Sequence, residues 1–158
     1  MNDLTIAAEC TEGDSRGKPG VGSREQFGPA VKNSPLRVLI VDDEALIRWS
    51  VAETLVDLGL EVEQAGDARS ALAALEDAER CFDVIVLDLR LPDMNDLTLL
   101  STIRRRLPQT AVVLMTAFGT PEIVAEARAL GVVEILSKPF ELRELSRAVL
   151  AAGGTAVS

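Results

Sequence analysis

An α/β fold, a doubly wound parallel sheet of five strands with helices on both faces, is predicted by three features of this sequence. Short apolar runs alternate strictly with longer amphipathic stretches between residues 36 and 151. The order is always strand first and helix second, which calls for right-handed crossovers onto a parallel sheet. Four of the helical stretches also open on capping or first-turn residues: Asp43, Asp67, Asn95 or Asp96, and Thr120-Pro121.

The first strand is LRVLIVD (36–42), and the helix over 44–58 carries Ile47, Val51, Leu55 and Leu58 on one face. LEVEQA (60–65) alternates polar and apolar residues, as a strand near an edge does. A helix over 67–79 follows, with Ala71, Leu72, Leu75 and Ala78 as its apolar stripe. FDVIVLD (82–88) is apolar without interruption until Asp88, so it reads as a central strand. Then come a helix over 96–106, the strand TAVVLMT (110–116), a helix over 121–130, the strand VVEILS (132–137) and a helix over 141–151.

The flanks differ in composition. Residues 1–35 hold five of the 11 glycines and three of the seven prolines, without apolar periodicity, and read as a flexible tail. Within them GDSRGKPG (13–20) superficially suggests a phosphate-binding loop. It is one residue short between its glycines, has Pro19 where a magnesium-binding hydroxyl belongs, and follows no strand, so it is rejected. Residues 152–158 read as a flexible C-terminal tail, leaving 36–151 as the folded domain.

Composition narrows the function. The chain has 158 residues, 47% hydrophobic and only 3% aromatic, so its core is aliphatic. A net charge of −9 argues against direct nucleic-acid binding through a general basic surface. The absence of histidine removes histidine-based catalysis and histidine metal ligands. Two cysteines, Cys10 and Cys81, are too few for a disulfide framework, so a reduced compartment is expected, and no basic, apolar leader or membrane-length apolar run is read in the sequence. The expectation is a cytoplasmic protein without membrane insertion.

Ligands of doubly wound sheets bind beyond the carboxyl ends of the strands. Here the first strand ends in Asp42-Asp43-Glu44, the third in Asp88, the fourth in Thr116 and the fifth in Lys138-Pro139. Each has an ordinary alternative: Asp42 or Asp43 as a helix cap, Asp88 as a turn residue before Pro92, Thr116 as a strand terminus, Lys138 as a solvated lysine. Together at one edge they suit chemistry better. Crowded carboxylates repel one another, and a hard cation such as Mg²⁺ relieves the repulsion while keeping much of its water. An aspartate beside that ion is a nucleophile toward phosphoryl groups, with Lys138 and Thr116 placed for the oxygens of the transferred group.

VLIVDDE, DVIVLDLRLPDM, VVLMTAFG and ILSKPF, in that order and spacing, resemble the receiver domain of two-component response regulators over about residues 36–151. The resemblance implies a flavodoxin-like (βα)5 arrangement with strand order 2-1-3-4-5. It implies that Asp88 accepts a phosphoryl group from a phosphohistidine on a sensor histidine kinase or histidine phosphotransfer protein. Asp43 and Asp88 are implied as direct Mg²⁺ ligands with the Arg90 carbonyl, and Asp42 as a ligand partly through water. Thr116 and Lys138 are assigned to the phosphate oxygens, and the Lys138-Pro139 bond is expected to be cis. Such a chain takes part in its own phosphorylation and dephosphorylation without being a metabolic enzyme.

Two positions depart from the family pattern. Asp96 stands where a glycine is usual after LPDM and reads as a substituted helix cap. Ile135 stands where the family has its switch aromatic, which puts a ring-based switch in doubt. Trp49 is read as helix packing. Taken as it stands, the sequence reads as a stand-alone receiver whose output is contact with a downstream target protein. The 121–151 face is the expected partner surface, in a monomer or weak homodimer. The alternatives are a phosphorelay carrier or phosphate sink, or the receiver part of a truncated transcriptional regulator.

Overall fold

The structure, a computed structural model, describes residues 35–77, 81–94 and 97–157. The N-terminal arm with its GDSRGKPG stretch, Ala78, Asn95 and Asp96 lie outside the described residues. Five strands alternate with five helices: β1 Arg37–Val41, α1 Ala45–Asp57, β2 Glu61–Ala65, α2 Ala68–Glu76, β3 Val84–Asp88, α3 Thr98–Arg106, β4 Ala111–Thr116, α4 Pro121–Ala129, β5 Glu134–Ser137 and α5 Leu142–Val157. All pairings are parallel, in the order β2-β1-β3-β4-β5. The chain steps outward from β1 to β2, then crosses back over β1 to β3 and continues that way to β5, so the switch in winding lies between β1 and β3.

Burial follows from that order. Every residue of β3 and β4 is buried, including Asp88 and Thr116, whereas β2 at the edge is mostly half-exposed. Side chains alternate between the two faces of each strand. Val38, Ile40, Val84, Val86, Val113 and Met115 meet Val51 and Leu55 of α1 and Leu145 and Val149 of α5. Leu39, Val41, Ile85, Leu87, Val112 and Leu114 meet Ala71 and Leu75 of α2, Leu99 and Ile103 of α3 and Ala127 of α4. Burying one such aliphatic side chain is worth about 1.5–3 kcal/mol, so two largely aliphatic layers suffice, with Phe82 the buried aromatic among the described residues.

Helix ends are set by local chemistry. Asp67 accepts a hydrogen bond from the Ser70 amide and Thr120 from that of Ile123, with Pro121 in the first turn. After α1 and α4 the chain turns at Gly59 and Gly131, both at φ 93°, a conformation that costs any residue with a Cβ. In each case the two amides that follow bond back to the last turn, Gly59 to Val56 and Leu60 to Leu55, Gly131 to Arg128 and Val132 to Ala127.

Four expectations need correction. Asp43 does not cap α1, whose N-cap is Glu44 without a side-chain bond. Helix α2 stops at Glu76, because Asp77 is extended. Trp49 is 55% exposed and Leu58 50%, so neither belongs to the buried face of α1. The last helix does not end at residue 151 but runs to Val157, with Ala152 and Gly153 buried. Gly153 hides that continuation from a periodicity reading, yet Leu36 packs so closely on it that a Cβ there would collide with the Leu36 side chain.

Candidate functional site

The carboxyl ends of the strands bring the predicted residues together. Asp42 leaves β1 with its amide still bonded to the Ala65 carbonyl of β2, and its side chain is fully buried. Its Oδ1 accepts from the Glu44 amide at 2.8 Å, which bends the chain and turns Asp43 outward to solvent. Asp88 ends β3 at 4% exposure. Its Oδ1 accepts from the Arg90 amide at 3.1 Å and its Oδ2 from Lys138 Nζ at 3.0 Å. The carboxylates of Asp42, Asp43 and Asp88 each offer an oxygen within 4.8 Å of the others.

Lys138 enters from the end of β5. Its amide donates to the Thr116 carbonyl at 2.9 Å, and the Lys138-Pro139 bond is cis. Besides Asp88, its ammonium reaches Asp42 Oδ2 at 3.1 Å and Glu44 Oε1 at 3.5 Å. Burial pushes the Asp88 carboxyl above the ordinary carboxylate value, and the Asp42 charge pushes the same way, against the Lys138 and Arg90 hydrogen bonds. Burial pulls Lys138 down, but its hydrogen bond and charge interaction with Asp88 and the Asp42 charge outweigh it, so its ammonium is held above the ordinary lysine value. The ammonium of Lys138 thus meets three carboxylates, those of Asp42, Glu44 and Asp88. The donor set is all oxygen and anionic, with Asp43 open to water, which is the character that a hard divalent cation requires.

Thr116 and Arg90 differ from the rest. Thr116 is buried at the end of β4, but its Oγ1 accepts from the Phe118 amide at 3.2 Å, turned toward its own loop. Arg90 meets Asp88 through its amide, while its guanidinium lies over the Phe118 ring, 5.2 Å from the centroid. Sequence reasoning missed Arg48. From α1 it donates to the Asp42 carbonyl at 2.6 Å and to Gln64 Oε1 at 3.2 Å, so it braces the acidic loop against β2. The only signal for it was a cation four residues beyond Glu44, one turn into a helix that starts at the acidic run.

A doubly wound 2-1-3-4-5 sheet with acidic residues at β1 and β3 and a lysine at β5 defines a class. The response regulator receiver domain model matches residues 38–150, and the chain belongs to that family. Among individual proteins it is similar to the response regulator protein FleR of Pseudomonas aeruginosa, at 37% identity over 109 residues, 69% of this chain and 23% of that one. It is also similar to the DNA-binding transcriptional regulator NtrC of Salmonella typhimurium, at 36% identity over 107 residues, 68% of this chain and 22% of the relative. The chain thus spans about a quarter of the length of these relatives. Among solved structures, a CheY-like receiver domain protein from Methanospirillum hungatei superposes with a TM-score of 0.74 at 28% identity, covering 78% of this chain and 97% of the other. No helix among the described residues is long and apolar enough to cross a membrane.

Proposed function

We propose that this receiver accepts a phosphoryl group on Asp88 from a phosphohistidine of a sensor histidine kinase or phosphotransfer protein, and signals by a change in protein contact. The observation that carries this reading is the ammonium of Lys138 bridging Asp42 Oδ2 and Asp88 Oδ2 beside the exposed carboxylate of Asp43. An Asp88 oxygen forms the new bond to phosphorus as the phosphorus–nitrogen bond of the donor breaks. The electron pair leaves with the imidazole nitrogen, and an acyl phosphate remains on Asp88. Lys138, charged at neutral pH, is placed to meet an oxygen of the incoming group. The carboxylates of Asp42, Asp43 and Asp88 with the Arg90 carbonyl would hold Mg²⁺. Bound there, Mg²⁺ supplies charge that offsets the carboxylates and the phosphoryl oxygens.

Thr116 links this chemistry to the surface. Turning its hydroxyl toward a phosphoryl oxygen gives up the bond from the Phe118 amide, worth about 1 kcal/mol, and frees the 117–120 loop ahead of α4. Helix α4, strand β5 and helix α5 form the proposed contact face, where Val133, Leu142 and Leu150 are exposed. A second reading, a receiver governing attached modules of a transcriptional regulator, is favoured by relatives of which the matched residues are only about a quarter, one of them named as DNA-binding.

Incubation with acetyl phosphate and Mg²⁺ is expected to add one phosphoryl mass to the wild type and none to Asp88→Asn. Equal labelling of both would remove Asp88 from this role.

A further inference from the structure

The stretch that follows Asp88 is fastened at a point remote from the carboxylate cluster. Leu89 extends the sheet by donating to the Met115 carbonyl at 3.0 Å. Leu91 and Met94 exchange backbone hydrogen bonds at 3.1 and 3.3 Å, closing a tight turn with Pro92 and Asp93 at its tip. Asp93 then reaches helix α2. Its Oδ1 accepts from the Ala68 amide at 2.8 Å and its Oδ2 from the Arg69 amide at 3.0 Å. With Asp67 taking the Ser70 amide at 2.7 Å, all three amides that begin α2 have side-chain partners, two of them from another loop. Both Asp93 bonds are charge-assisted and lie at the positive end of the helix dipole.

Arg90 lies between these two anchors. Its amide holds Asp88 Oδ1, and its carbonyl is the one main-chain oxygen of the proposed metal site. From this geometry we infer that Asp93 is a positioning residue. By clasping the turn to α2 it fixes the aim of the Arg90 peptide, and so the orientation of Asp88 and the readiness of the cation site. The inference rests on the phosphoacceptor reading for its purpose, but not for its physical content. Asp93 is exposed, so its loss should leave the fold nearly as stable while loosening the turn.

The test compares the wild type, Asp93→Ala and Asp93→Asn in the full chain, by amide hydrogen exchange without metal and by calorimetric Mg²⁺ titration. Partners one shell beyond a metal's ligands are worth about 10–100-fold in affinity. In Asp93→Ala, Mg²⁺ should bind about tenfold more weakly, and the Arg90 amide should exchange about tenfold faster. Asp93→Asn keeps one acceptor oxygen and should fall between. It also decides the matter if the alanine variant folds poorly. If only the Ala68 and Arg69 amides lose protection, with Arg90 exchange and Mg²⁺ affinity as in the wild type, Asp93 is a helix cap and the inference is overturned. A wild type that acetyl phosphate does not label would defeat the phosphoacceptor reading and leave these two measurements standing.

Discussion

Asp88 sits at 4% exposure with its pKa raised by burial, and this has a definite consequence for stability. A carboxyl whose folded pKa exceeds its ordinary value of 3.8 binds protons more tightly in the native protein than in the unfolded chain. Between those two values the native state holds more protons, so stability falls as pH rises through that window, and the deficit persists above it. In metal-free buffer, urea midpoints of the wild type minus those of Asp88→Asn should therefore decline over that range, with the variant the more stable at neutral pH. A variant less stable than wild type at neutral pH would contradict this. Asp42, Asp43, Asp88 and Lys138 were legible in the sequence because each lies where a strand stops, and strand ends are fixed by runs of apolar residues. The turn of the Thr116 hydroxyl toward Phe118, the reach of Arg48 to Asp42 and the grip of Asp93 on α2 were not. They depend on loop torsions and on pairs far apart in sequence, for which spacing carries no signal.

At the scale of elements, the sheet order and both helical faces agree with the alternating pattern, because burial on two sides demands uninterrupted aliphatic strands. The C-terminal helix is where the pattern misled. Its glycine pair lowers local helix propensity, and only tertiary contact with Leu36 shows why one of the two is there. The pair also separates propensity from packing. Gly154 has open space around its Cβ position, so Gly154→Ala should stabilise the protein by about 0.5–1 kcal/mol. Gly153→Ala should destabilise it despite the same propensity gain, because the added methyl displaces Leu36, and overpacking costs about 1–3 kcal/mol. Urea denaturation of the two variants gives both numbers. Two indistinguishable midpoints would mean that the segment beyond residue 151 is not packed as a helix.

For the molecule as a whole, the question is whether charge at one sheet edge changes a surface on the far side of α4. Ile135 is half-buried against the α2–α4 layer, so on the proposed reading transmission would fall to backbone and helix movement instead of a ring. Its branched side chain is stiff at χ1 and has no large alternative position to occupy. With beryllofluoride in place of the phosphoryl group, amide exchange is expected to change across 116–120, α4, β5 and α5. Changes confined to the pocket would favour a phosphate carrier or sink, since a switch requires differential affinity between two states. Trp49 is the only tryptophan, there is no tyrosine, and the residue is 55% exposed. Its emission in the native protein is expected near that of a water-facing indole. Unfolding should therefore shift the protein's intrinsic fluorescence little, whereas a partner that buries Trp49 under apolar surface should shift it to the blue.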